Sequence, residues 1–244
     1  MGAAALTKRS SVYTFSYVCK VRIAKLGIKF VRRTKAEAEQ TREAILTAAI
    51  GVFLERGVSR ATLDEIARAA GVTRGAIYWH FRDKLEIFLA LEQRANLPNE
   101  EFGAHLRARL AADPGLDPLD ELLDAIREGL RSFEANLERR RILTILWLRC
   151  EYVDEMLPVL ARQQRDDAAL RELFESVIKL ATARGRVVPG WPAGMAARGL
   201  LLLINGSVAD WLREPGKGQL VTTTMPLISA FLEAMSLPER AAAD

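Results

Sequence analysis

From about residue 34 onward apolar side chains recur every three or four positions, the spacing of one helix face, and a sustained period-two alternation of the strand kind is absent. Ile45, Ala49, Val52 and Phe53 form the first stripe, and Gly57 is placed to cap its C-terminal end. Thr62 followed by Glu65 is a capping box, in which the hydroxyl takes a backbone N–H and the carboxylate reaches back to the cap. The helix so opened runs only to residue 70, because Gly71 interrupts it. Thr73 caps a second short helix from residue 74 to about 80, and Asp83 with Glu86 opens a long one. Ile66, Ala67, Val72 and Ile77 pack the two short helices at a steep angle, which the small residues Ala67, Ala70 and Gly71 permit. A helix-turn-helix over residues 62–81 is therefore expected.

Beyond residue 97 the helices lengthen. Asp117 and Pro118 start one over 118–137, and a second is expected over 139–155. A third covers roughly 158–183 and is broken by Gly185, and 189–192 is a loop. The last two are expected over 193–213 and 219–236. The former carries Ala196, Gly199, Leu200, Leu203, Gly206 and Ser207, and Pro226 predicts a kink in the latter. The fold class is all-α.

Composition narrows the function. Half of the 244 residues are apolar and 27% are charged, which excludes wholesale disorder and fits one or two domains. Two cysteines (Cys19, Cys150) and two histidines (His80, His105) supply neither a disulfide framework nor a zinc site, so no metal is expected and a reducing cytoplasm fits. The apolar run at 200–204 is far short of the ~18–20 residues of a membrane span, so no membrane partner is expected. Residues 11–19 look like a weak signal core but lack a small-residue cleavage site. No nucleophile elbow, phosphate loop, HExxH or dinucleotide fingerprint occurs, so neither an enzyme nor a cofactor is expected.

The net charge of +4 conceals an asymmetry. Residues 1–35 carry nine Lys/Arg and no acid, which leaves 26 basic and 31 acidic residues to 36–244. A basic arm of this kind either meets an acidic partner, nucleic acid being the commonest, or is a solvated leader. Residues 1–31 are accordingly set apart as a basic extension. The abrupt change of composition there also leads to the expectation that translation begins near Val31.

The stretch 73–81 carries the chemistry. On a helix Ala76, Ile77 and Phe81 face the core, which leaves Thr73, Arg74, Gly75, Tyr78, Trp79 and His80 to project outward or sideways. Exposed rings in a row suit a flat, polar, anionic partner, and double-stranded DNA is one. Gly75 lets the helix approach closely, and its neighbours then reach base edges in a groove ~12 Å wide. Tyr78 and His80 can donate to phosphates, and Lys84 can hold phosphate at the next helix start. Arg74 serves either a guanine or a phosphate. Trp79 faces either DNA or the first helix.

These residues, 61–81 within 39–99, resemble the TetR family of bacterial transcriptional regulators. Residues 32–43 (RRTKAEAEQTRE) and 139–156 (RRRILTILWLRCEYVDEM) are similar to its AcrR/TtgR branch, which represses multidrug efflux operons, and the resemblance covers about 32–236. It implies a three-helix DNA-binding domain over 32–95, with Thr62 among the DNA-binding positions, and a larger ligand-binding and dimerisation domain over 96–244. It implies a homodimer through helices 193–213 and 219–236, a pseudo-palindromic operator, and a pocket for a small hydrophobic or aromatic inducer. Candidates for the pocket are Asn96, Leu97, Phe102, Phe133, Ile142, Trp147, Glu151 and Asn205; for each, ordinary core packing is the competing role. A regulator of another pathway, or an activator, shares the same motif.

Overall fold

The computed structural model describes residues 34–214 and 218–237, except for the side chains of 96–101 and 154. The basic extension expected over 1–31, with the start near Val31, lies outside the described residues. Among the described residues nine α-helices carry the fold: α1 (Lys35–Arg56), α2 (Leu63–Ala69), α3 (Arg74–His80), α4 (Lys84–Ala112), α5 (Pro118–Ala135), α6 (Leu137–Thr144), α7 (Leu157–Ala183), α8 (Ala193–Arg213) and α9 (Leu220–Met235). A π turn, Ile145–Arg149, continues α6, and a 3₁₀ turn, Asp154–Met156, precedes α7. A single antiparallel bridge, Val187 to Ser236, lies outside the helices. The protein is all-α.

By contact, residues 1–41 and 42–244 are two units. In the first, the Thr34 hydroxyl accepts the Glu37 N–H at 3.2 Å and the Glu37 carboxylate accepts the Thr34 N–H at 2.7 Å, a capping box that starts α1. The second unit contains two apolar cores.

The first core gathers Ile45, Phe53, Ile66, Ile77, Phe81 and Phe88, with the Phe53 and Phe88 rings edge to face at 6.1 Å. α2 and α3 are only seven residues each, too short to persist alone, so their caps and their burial decide them. Thr62 closes the expected capping box with Glu65, and the Thr73 hydroxyl accepts the Ala76 N–H at 3.2 Å. Gly71 stands at φ 67°, which reverses the chain between the two helices where a Cβ would be strained. Ile77 is the one buried residue of α3.

The second core joins the far end of α4 to α5, α7, α8 and α9 through Leu106, Leu122, Phe174, Leu200 and Ile228. α8 and α9 approach so closely that a Cβ on Gly199 would lie 2.9 Å from the Phe231 ring. α9 runs through Pro226, whose ring sits on the exposed face, without ending there.

The single helix expected over 139–155 does not form. α6 begins earlier, where Asn136 Oδ1 accepts the Arg139 N–H at 2.9 Å, and its continuation stops at Arg149. Cys150 is extended (φ −109°, ψ 130°). Non-helical partners take the carbonyls this strands: the Tyr152 hydroxyl donates to Leu146 O at 2.5 Å, and the Val58 N–H donates to Arg149 O at 3.2 Å. Ile142, Ile145 and Leu146 meanwhile pack into the first core, so burial there outweighs helical continuity.

α4 is fastened sideways as well. Arg94 donates to Glu138 of α6 at 2.9 Å and to Glu43 of α1. Replacing Ile77 by Ala should cost about 2–5 kcal/mol in urea denaturation, the range for emptying a buried aliphatic site. Tyr78→Ala should change stability by less than about 0.5 kcal/mol. Equal losses in the two variants would contradict this packing.

Candidate nucleic-acid interface and ligand cavity

α3 is held from below by Ile77 and presents its remaining side chains to solvent or to the edge of the head. Trp79 is 72% exposed and Tyr78 46% exposed, so Trp79 does not pack against α1. His80 is half-buried, its ring perpendicular to that of Trp79 with centroids 4.5 Å apart. The Arg74 guanidinium lies over the Tyr78 ring at 5.7 Å and 3.3 Å from the Asp64 carboxylate. Both partners of that ion pair are exposed, so it is weak and easily exchanged for a stronger anion. Nothing lies within 4 Å of where a Gly75 Cβ would stand, which leaves the helix face flat at that point.

Thr73 and Thr62 are exposed and occupied as caps. Lys84, at the start of α4, is half-buried. Its ammonium donates to Val58 O at 3.1 Å and Ser59 O at 3.0 Å, and Glu155 stands 4.0 Å away. It ties the start of α4 to the turn after α1.

Farther along, α4 to α8 surround a cavity of about 770 Å³. Of the residues expected at such a pocket, Phe102, Phe133, Trp147 and Asn205 line it. Ile142 and Glu151 do not. Ile142 is sealed in the first core, because the α6 register turns it toward the head, and Glu151 is exposed on the extended segment that replaces the expected helix. The side chains of Asn96 and Leu97 lie outside the described residues.

Apart from Asn205, the polar part of the wall escaped sequence reasoning. Glu92, His105, Arg139, Asp166 and Asp167 all line the cavity. Glu92 is fully buried, and neither of its carboxylate oxygens accepts a hydrogen bond from the described residues. Arg162 Nε stands 3.4 Å from it. Burial pushes its carboxyl up to about 7; Arg162 opposes the shift and Asp166 adds to it. Asp167 is raised by burial too, and accepts from Asn205 Nδ2 at 3.4 Å. Arg139 Nε donates to Ala95 O at 2.9 Å, and its guanidinium lies 5.6 Å from the Phe133 ring centroid. One signal could have found Glu92: it occupies an inward position in the stripe formed by Phe88, Leu91 and Ala95. An acid on a buried face is unexpected without a purpose.

Cys150 has a thiol pushed up to about 11 by burial and by the Glu151 charge, which makes it a poor nucleophile. Among the described residues no cluster of three His, Cys, Asp or Glu could hold a metal, and no helix is long and apolar enough to cross a membrane.

The geometry agrees with what is similar in sequence and structure. Residues 45–91 match the family model for bacterial regulatory proteins of the tetR family, and residues 117–237 match that for the C-terminal region of MAATS-type transcriptional repressors. The HTH-type transcriptional repressor BepR of Brucella suis biovar 1 is 42% identical over 208 residues, which cover 85% of this chain and 98% of the relative. The HTH-type transcriptional regulator TtgR of Pseudomonas putida is 35% identical over 209 residues, 85% of this chain and 97% of the relative. The crystal structure of NalD, the secondary repressor of the MexAB-OprM multidrug efflux pump in Pseudomonas aeruginosa, superposes with a TM-score of 0.73 at 38% identity, over 84% of this chain and all of that one. With relatives matched over nearly their whole length and both family models satisfied, the chain belongs to the TetR family of bacterial transcriptional regulators, which bind operator DNA, dimerise and bind small molecules.

Proposed function

We propose that this protein represses an operon for a multidrug efflux pump and leaves its operator when a small hydrophobic or aromatic compound fills the cavity. The observation that carries the reading is α3: a helix pinned by one buried residue, with Arg74, Gly75, Tyr78 and Trp79 turned outward. In this reading residues 32–95 are the DNA-binding head and 96–244 the effector and dimerisation part. Arg74 exchanges Asp64 for a base or a phosphate. Tyr78 and His80 donate to phosphates, and Trp79 lies against the backbone or a base edge. The Thr62 and Thr73 caps hold the two helices at the angle the groove needs. Lys84 meets phosphate with the donor its carbonyl partners leave over.

Support for two-fold use comes from the opposite end. Met195 and Leu202, seven residues apart on one face of α8, are exposed, and so is Leu227 on α9. Large apolar side chains in such a row favour a covering surface, and a second copy of α8 and α9 supplies one. Two recognition helices related by that symmetry read a pseudo-palindrome.

Release follows from differential affinity. A compound that binds more tightly when α3 is turned away from the groove shifts the population to that form, and operator binding loses the same free energy. The 770 Å³ cavity has the size of small-molecule sites, and Phe102, Phe133 and Trp147 supply apolar and aromatic wall.

In a mobility-shift assay the protein should retard DNA from upstream of its own gene, and an aromatic dye should abolish the shift. Failure with every promoter fragment tested would refute the reading. Arg74→Ala and Tyr78→Ala should each weaken operator binding about tenfold or more, the effect of losing one good base or phosphate contact, while the thermal midpoint stays within about 2 °C of the parent's. Leu202→Glu should turn the dimer into a monomer in sedimentation and lose the shift with it. A dimeric Leu202→Glu variant would rule out α8 as the interface.

A further inference from the structure

The π turn Ile145–Arg149 is a cavity wall along its middle and an anchor of the head at its end. Leu146, Trp147 and Leu148, consecutive in the turn, line the cavity. The next residue, Arg149, accepts the Val58 N–H on its carbonyl at 3.2 Å. Gly57, at φ 78°, presses on the same oxygen: a Cβ there would lie 3.6 Å from it. Gly57 and Val58 belong to the turn after α1. That turn also takes the Lys84 ammonium of α4 on Val58 O and Ser59 O, and it leads straight to the Thr62 cap of α2.

The π turn is held in place from outside. In an α-helix the Leu146 carbonyl would accept the Cys150 N–H. Here Cys150 is extended and Leu146 O accepts the Tyr152 hydroxyl instead, at 2.5 Å. A phenol has one proton, so the 2.6 Å contact between Gln163 Nε2 and the Tyr152 oxygen runs from amide to phenol. Gln163, on α7, lines the cavity, whereas Tyr152 stands off the wall and packs against the first core. A row of hydrogen bonds thus leads from the Gln163 amide through the Tyr152 hydroxyl to the Leu146 carbonyl, and the end of the same turn leads to the Val58 amide. π turns are rare and concentrate at functional sites.

We propose that Tyr152 is a positioning residue for operator binding: its hydroxyl latches the π turn in the form that holds the head, and a compound in the cavity opens the latch. The proposal rests on the reading of this cavity as the effector site. A compound that fills the cavity pushes on Leu146, Trp147 and Leu148, and one with an acceptor oxygen draws the Gln163 amide away from Tyr152. Both act on the bond between Tyr152 and Leu146. When the turn shifts, Arg149 O leaves Val58, and the turn after α1 loses a fixed point on which the pose of α2 and α3 depends. Leu143 and Trp147 pack against both cores, so a displacement here is felt on either side. The linkage is reciprocal: a closed latch favours DNA, and a weakened one favours the effector.

The test compares the full-length protein with Tyr152→Phe, which keeps the ring in the core and removes the hydroxyl. N-phenyl-1-naphthylamine and ethidium are each titrated by fluorescence without DNA, and binding to DNA from upstream of the protein's own gene is measured without either probe. Loss of one hydrogen bond that favours the closed form should tighten binding of any probe the parent protein takes about three- to tenfold. Affinity for the DNA should hold or fall. Residue 152 is off the cavity wall, so the tightening is not a new contact, and a hydroxyl that only packs the fold would leave probe affinity unmoved. Ser176→Ala removes another hydroxyl of α7, one that donates to Leu173 O at 2.7 Å away from the wall, and should leave both affinities within twofold. Probe affinity in Tyr152→Phe no tighter than the parent's, tighter DNA binding in that variant, or an equal effect in Ser176→Ala would overturn the proposal and leave the cavity as an effector site. Failure of both probes to bind the parent protein would overturn the effector reading and this inference together.

Discussion

A rigid rod shared by two cores governs this molecule. α4 has 29 residues, and at 1.5 Å per residue it spans roughly 43 Å. Its first turns bury Ile87, Phe88, Leu91 and Ala95 in the core beneath the recognition helix, and farther along Leu106 enters the core shared with α5, α7, α8 and α9. Between these anchorages lies the cavity wall. Close-packed interiors do not deform smoothly, so a rotation of α4 demanded at one end has to be met at the other. Arg94, braced against α1 and α6 through Glu43 and Glu138, and Lys84, tied to the turn after α1, set which rotations remain open. In the function proposed above, coupling between DNA and effector would run through this one helix and its lateral fastenings.

The head was legible from sequence because its rules are local. A Thr–Glu box, a second Thr cap and a glycine at the reversal each act over three or four residues, and each appears where the residues place it. The end of α7 and the start of α8 followed likewise from Gly185 and the proline-rich loop. The segment 139–155 failed for the opposite reason. Its helical pattern is sound locally, but the Tyr152 hydroxyl and the Val58 amide, brought in by the fold, offer its carbonyls other partners. That rearrangement is also what leaves Glu151 outside the cavity.

The cavity was only half legible. Aromatic residues are natural suspects for any apolar pocket, and Phe102, Phe133 and Trp147 are indeed on its wall. The polar wall depends on which faces of α4, α6 and α7 converge, and no spacing within one helix reveals that. Glu92 is the instructive case: an acid on an inward stripe of apolar neighbours, at odds with every local preference of a core. Departures of this kind cost stability, which is why they stand out against the rest of the core.

The recognition helix has a different consequence. Of its seven residues only Ile77 is buried. If α3 reads a duplex as proposed, its vocabulary is thus separated from the grammar that folds it: most of the helix can be rewritten while Ile77, the Thr73 cap and the Gly71 reversal stay. A lineage carrying such a helix can wander from one operator to another by ordinary point changes, with little risk of passing through an unfolded ancestor.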